Sequence, residues 1–411
     1  MIKFNRHIFD NGLRLVHSRM DDTEMVALNI IYDVGAKDES PEHTGFAHLF
    51  EHLMFGGSVN VPDFDTPLQK AGGADNAWTN NDFTNYYITV PACNVETAFR
   101  LESDRMLGLA FSPDSLDVQK HVVCEEFKQS NLNKPYGDVG HLMRDMCYKV
   151  HPYRWPTIGK CLAHIEQATL EQVKSFFYSH YAPDNAVLAV TGNISFEEAV
   201  RLTGKWFGDI ERRNVPKRNL PVEPPQTEQR RLSVDRDVPL DALYMSFHMC
   251  GRMHPDYYAF DMLSDILSNG NSSRLIRRLV MERNVFSGID AYITGSVEPG
   301  MFQIAGKPVG KNNLEKSEAC IWEEIERLKS EPVGEYEIEK VKNKFESDYI
   351  FSNMNYLNVA SNLAMFELVS EAEDINREVE KYRKVTAEDL MTVAGKYLKE
   401  DNSSVLYVNS K

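Results

Sequence analysis

The chain lacks any apolar run near the roughly 20 residues that a membrane-spanning helix needs, so no membrane segment is expected. It also lacks basic excess. Its 45 Lys and Arg stand against 61 Asp and Glu, a net charge of −16, which argues against nucleic acid, a partner that demands basic surface. The acidity reads first as solubility, and the functional alternative is a field that attracts cationic peptides; composition alone does not separate the two. Cysteine is sparse: Cys93, Cys124, Cys147, Cys161, Cys250 and Cys320 are scattered with no CxxC pair. That excludes a zinc knuckle and reads as reduced, mostly buried thiols in a core-bearing chain. The opening MIKFNRHIFDNGLRLV has no basic segment followed by an apolar stretch, and no small-residue cleavage site. As written, the chain is expected in the cytoplasm.

What is present points to two domains. A length of 411 residues exceeds one ordinary core and suits two domains of about 200 residues each. The stretch ERRNVPKRNLPVEPPQTEQR carries four prolines and no apolar periodicity, and reads as a linker over 211–230. Residues 1–210 and 231–411 are then the two domains. Their ends echo each other. Thr169, Glu171, Asp184 and Asn185 match Thr386, Glu388, Asp401 and Asn402 at one constant spacing of 217. Each copy offers a Thr that can cap a helix, an amphipathic helix, a polar turn and an apolar strand. Duplication explains a constant offset better than chance does, so two α+β domains of similar topology are expected.

The chemistry concentrates near residue 50. Residues 44–55 read as a helix entered through SPEHT and stopped by Gly56 and Gly57. Phe46, Leu49, Phe50, Leu53 and Met54 recur at the spacing of one face. At about 100° per residue, His48, Glu51 and His52 fall together within an arc of about 100° on the opposite side. Histidines at i and i+4 stand one turn apart and can reach one tetrahedral zinc, with Glu51 beside them as a base that is not itself a ligand. HLFEH is the reverse of HExxH, the H-x-x-E-H pattern of inverzincins. The bland alternative is two surface histidines on a solvated helix face.

A catalytic zinc takes a third protein ligand and leaves one open position. The helix expected over 113–130, entered through Ser112 and Pro113, offers Glu125 and Glu126. Leu116, Val123 and Phe127 mark its core side, with Val122 on the flank. Glu126 adjoins Val122 and Val123, and a carboxylate near an apolar face calls for a partner. Glu125 is expected to pair with His121 instead, so Glu126 is favoured. His43, His141 and His151 read as structural or surface histidines.

The stretches TGFAHLFEHLMFGGS and VVCEEF, with GADNAWTNNDFTNYY, HPYRWPTIG, AVLAVTGN and SSRL, resemble the pitrilysin family of zinc metallopeptidases over essentially the whole chain. The resemblance implies two similar α/β-sandwich domains, each a mainly antiparallel sheet backed by helices, and one Zn2+ per chain. It makes His48, His52 and Glu126 the metal ligands and Glu51 the general base. Asn76, Ala77, Trp78 and Thr79 are expected to form an edge strand near the zinc that pairs with the backbone of peptide substrates, the bland alternative being an interior strand followed by a polar turn. Two departures stand out. Where the family commonly has a Glu seven residues before the third ligand, this chain has Gln119, which can orient a neighbour but carries no charge. Where self-sufficient members carry an Arg and a Tyr after SSRL, this chain has Val280 and Ser287. Arg283 and Tyr292 lie nearby at the wrong spacing. The resemblance thus implies the zinc-bearing half of a two-chain enzyme whose homologous partner supplies the missing pair, or a homodimer. The rival readings are a noncatalytic assembly subunit and a metal-dependent hydrolase of non-peptide substrates.

Overall fold

A computed structural model describes every residue except 217, 311 and 312, so one position of the expected linker lies outside the described residues. The chain forms two compact units, and both draw on each half of the sequence. One gathers Met1–Lys128, Trp155–Leu220 and Ile350–Arg377, and the other gathers Gln129–Arg154, Pro221–Tyr349 and Glu378–Lys411.

The first unit is built on strands β1 (Asn5–Ile8), β2 (Arg14–Arg19), β3 (Met25–Tyr32), β4 (Ala74–Thr79), β5 (Thr84–Pro91) and β6 (Ala186–Gly192). They lie in the order β1-β2-β6-β3-β5-β4, antiparallel except for the β2–β6 pair. Strand β6, the apolar AVLAVTG, is buried throughout, as a continuous apolar run in a covered strand should be. Helix Tyr356–Val369 packs on β2, β3 and β6. The polar residues it meets there are paired: Asn29 and Asn85 exchange amide bonds of 2.7 and 2.9 Å, and Ser361 Oγ donates to Asn29 at 3.0 Å.

The second unit holds β7 (Arg230–Arg236), β8 (Ala242–His248), β9 (Phe286–Ile293), β10 (Met301–Pro308) and β11 (Ser403–Ser410). Their order is β7-β11-β8-β10-β9, with β7–β11 as the parallel pair. Apart from the extra β1, this is the order of the first sheet, strand for strand. The echo at spacing 217 has a structural counterpart. Thr169 caps helix Leu170–His180 and Thr386 caps helix Ala387–Tyr397, each through a reciprocal bond with the third helical residue. Asn185 Nδ2 then donates to His180 O at 2.8 Å and Asn402 Nδ2 to Tyr397 O at 2.8 Å. The fold is thus two similar α/β sandwiches, each a mainly antiparallel sheet backed by helices. All six cysteines are free. Among the described residues, no helix is long and apolar enough to cross a membrane.

Candidate metal centre

The motif helix runs over Phe46–Leu53, two residues shorter at each end than expected. Its start is set by Gly45, which has φ +89° and lies so close to Gly159 that a Cβ would come within 3.2 Å of that residue's Cα. A glycine has no side chain with which to cap a helix. The capping acceptor comes instead from Glu39, which takes the N–H groups of Gly45 and Ala47 at 2.9 Å each. Phe46, Leu49, Phe50 and Leu53 are buried, with Phe50 stacked on Phe176 and Tyr181 at 5.2 and 5.3 Å between centroids. That packing turns the other face, with His48, Glu51 and His52, away from the core.

The second helix covers Pro113–Phe127 and continues as a π-helical turn over Lys128–Leu132. Ser112 Oγ accepts from Ser115 N at 3.1 Å, and the Pro113 ring occupies a first-turn position that needs no N–H. The two helices meet closely. A Cβ on Gly56 would lie 2.5 Å from Ser115 Oγ, so the glycine after the motif lets them approach.

This contact brings Glu126 Oε2 to 3.6 Å from His48 Nε2 and 3.5 Å from His52 Nε2. One ligand atom from each residue lies within 4.8 Å of the others, and no other such group of metal-ligating side chains occurs among the described residues. Two imidazole nitrogens and one carboxylate oxygen from two helices suit a zinc ion with one position left open. Burial pushes His48 down to about 4, which keeps the ring neutral, the form that binds metal. His48 Nδ1 is buried without a hydrogen-bond partner, so packing and whatever Nε2 holds fix that ring. The hydrogen bond with His52 draws the Glu126 carboxyl below its ordinary range. Glu51 moves the other way: burial raises its carboxyl, with Thr79 and His52 pulling it back.

Other placements differ from the sequence reading. Glu125 pairs with Lys128 at 2.7 Å, not with His121, whose Nδ1 sits 2.7 Å from Asp117 O. The short i to i+3 reach to a lysine offers a full opposite charge. Val122 is 44% exposed and the Glu126 side chain 46% exposed, so Glu126 is drawn in by the histidines rather than by an apolar face. Gln119 stands about two turns before Glu126 on the same side of the helix and is half-buried. Asn76 to Thr79 lie on β4, which ends the sheet and pairs with β5. Asn76 and Trp78 are exposed, Ala77 is buried, and Thr79 is half-buried near Glu51.

In the second unit, Val280 packs against the core and Ser287 Oγ donates to Lys307 O at 3.1 Å. Arg283 is held by Glu323 at 2.6 Å and by Cys320 Sγ at 3.1 Å, while Tyr292 lines a separate cavity. Glu39 was missed in the sequence. Its signal was only an acid six residues ahead of a glycine that cannot cap.

With this geometry in view, the comparisons with known proteins are decisive. A model described as insulinase (peptidase family M16) matches residues 15–156, and one described as peptidase M16 inactive domain matches residues 167–345. The chain belongs to the M16 peptidase family. Among its relatives, zinc protease PqqE of Helicobacter pylori is 28% identical over 97% of this chain and 91% of its own length. The crystal structure of a protease from Helicobacter pylori aligns over the full length of both chains with a TM-score of 0.92 and 26% identity. Pitrilysin shares the fold at a TM-score of 0.82 and 15% identity, with this M16 chain spanning 45% of its length. The three-residue cluster of this M16 chain sits wholly within the segment that matches the insulinase model.

Proposed function

We propose that this M16 chain is the metal-bearing half of a zinc endopeptidase that cleaves unfolded peptides. The observation that carries the reading is the convergence of His48, His52 and Glu126 within 4.8 Å, with Glu51 on the same half-buried helix face. A zinc ion held there would polarise a peptide carbonyl and lower the pKa of water. Glu51, with its carboxyl raised by burial, takes the proton from the attacking water and passes it to the leaving amine. Strand β4 offers the backbone groups of Asn76 to Thr79 to an extended peptide, which gives affinity with little demand on sequence. Gln119, which carries no charge, serves there only to orient a neighbour by hydrogen bonding and so to tune metal affinity.

The same reading assigns the missing donors to a second chain. Val280 cannot hydrogen-bond, Ser287 is turned to Lys307 O, and Arg283 is committed to Glu323. A homologous partner bearing an Arg and a Tyr completes the site. Residues 1–210 and 231–411 are then the two duplicated modules, joined by 211–230. The test is metal analysis of the purified chain together with cleavage of an unfolded peptide, with and without a candidate homologue. Absence of zinc, or zinc with no cleavage in either case, sinks the proposal in favour of a noncatalytic assembly role.

A further inference from the structure

Away from the metal site, the second unit holds a cavity of about 380 Å³ between helix Val139–Cys147 and one face of its sheet. Strand register builds its floor. Ser246 on β8 stands opposite Gln303 on β10, which stands opposite Tyr292 on β9, and alternation along β8 puts Tyr244 on the same face. Tyr136 and Arg144 line it from the helix side. The lining carries one full positive charge and no carboxylate, in a chain whose net charge is −16. The neighbouring Asp138 is held by Arg236 at 2.7 Å.

Three further observations point to a ligand. Ser246 is 2% exposed, and the side-chain partner of its Oγ is the Cys147 thiol, a weak one that leaves the hydroxyl able to take a stronger ligand. Tyr136 has φ +62°, a strained backbone of the kind that collects at ligand clamps. It is pinned there by its hydroxyl, which donates to Leu240 O at 2.7 Å, and by Lys307, 4.9 Å above its ring. Gly140 lines the cavity, and a Cβ there would meet nothing within 4 Å. Burial pushes Tyr244 up to about 12 and raises Tyr292 as well, so both phenols remain protonated and able to donate.

We infer that this cavity binds a carboxylate carried by a peptide, with Arg144, the phenols and Ser246 as donors. Arg144 keeps Nη1 on Tyr153 O at 2.8 Å, which holds the guanidinium in place for charge-assisted bonds. Met143 and Met301 give the rest of the wall an apolar character that suits the carbon stem of the same residue. The volume lies at the small end of ligand pockets, enough for one residue and not for a length of chain. The carboxylate belongs either to a chain terminus or to an Asp or Glu side chain. The inference rests on the peptidase reading only for the ligand being a peptide.

The test is calorimetry on the full-length Glu51→Gln chain, so that cleavage plays no part. Three N-acetylated peptides of one neutral sequence serve as probes: one with a free carboxy terminus, one amidated, and one amidated with a single internal Glu. At least one carboxylate peptide should bind tenfold or more tightly than the neutral amide, and which one does so names the source. Gly140→Leu should remove that tenfold preference without lowering the melting temperature, because open space receives the side chain and the helix gains propensity. Arg144→Met should remove it too. Equal binding of all three peptides, or a preference that survives Gly140→Leu, overturns the inference. Cleavage by the wild-type chain with no carboxylate preference sinks the pocket and leaves the peptidase reading standing. Carboxylate preference with no cleavage, even with a partner, does the reverse.

Discussion

Two helices hold the same place in the two units and do opposite things. Phe46–Leu53 lies between β3 and β4, and Tyr257–Ser268 lies between β8 and β9. The first buries one face and turns His48, Glu51 and His52 outward. The second is longer and buries eight of its twelve residues, from Tyr257 to Leu267, and the polar stripe it keeps, Asp261, Ser264, Asp265 and Ser268, holds no histidine. Among the described residues, only the first unit carries a group able to hold a metal. The shared topology therefore supplies a place for a helix after the middle strand, β3 between β6 and β5 in one sheet and β8 between β11 and β10 in the other. Whether that place becomes a site or a core is decided by what the helix puts on its outer face.

The sharpest way to break this contrast is to remove the outer-face chemistry of the first helix. Glu51→Gln should leave zinc content at one per chain and lower turnover by about 10²–10⁴-fold, the usual weight of a general base. His48→Ala and Glu126→Gln should lose the zinc itself, since each leaves two protein ligands. Metal analysis of the three purified proteins beside a peptide assay separates the outcomes. Normal zinc in Glu126→Gln would move the third ligand elsewhere.

The next effect concerns what the second unit fails to provide. An Arg and a Tyr at positions 280 and 287 would be hydrogen-bond donors to the substrate, and loss of one such donor costs about 10²–10³-fold in rate. Titrating a homologue that carries the pair into this chain should therefore raise peptide cleavage by about that factor. Full activity of the chain alone, abolished by Arg283→Ala, would show that Arg283 leaves Glu323 during the reaction and that no partner is needed.

Helix periodicity made the contrast partly legible before any coordinates. The faces of Phe46–Leu53 follow from i, i+3, i+4 spacing, and the duplication follows from four residues at one offset, which the capping pairs at Thr169 and Thr386 share. What stayed hidden was non-local. The carboxylate that caps the motif helix comes from Glu39, and capping rules that look at the cap residue itself find only Gly45. The approach of Glu126 to the histidines depends on Gly56 admitting Ser115, a contact between segments about 60 residues apart in sequence. The packing of Ile350–Arg377 with the first unit and of Gln129–Arg154 with the second leaves no mark on local periodicity, because an amphipathic helix does not state which sheet its apolar face will cover.

If the second helix is core and not site, its residues should govern stability and not metal. Phe260 is fully buried, and Phe260→Ala should cost about 3–5 kcal/mol while the zinc content of the folded protein stays at the wild-type value. Urea denaturation with parallel metal analysis checks both. Loss of zinc without loss of stability would mean that the two helices are not divided as the burial pattern implies.

The smallest effect, and the finest test of how the motif helix is held, concerns Glu39. Burial raises its carboxyl to about 8; the N–H groups of Ala47 and Gly45 and the nearby Trp155 oppose the rise, and Asp38 adds to it. A carboxyl raised in the fold and ordinary in the unfolded chain, about 4.3, binds more protons when folded. Stability then falls as pH rises between those two values. It is greatest, as far as this group is concerned, below about 4.3 and fully reduced above about 8. Glu39→Gln removes the titration and keeps one carbonyl oxygen for the helix N–H groups. The stability of the wild type minus that of the variant should therefore shrink steadily from pH 5 to pH 8 and level off beyond. Urea midpoints of both metal-free proteins at pH 5, 6.5, 8 and 9 measure this directly. A difference that stays flat with pH would show that Glu39 titrates alike in the folded and unfolded chain, with the two N–H bonds offsetting burial. In that case the motif helix would be capped by a full negative charge at its N-terminus, where the helix dipole favours one.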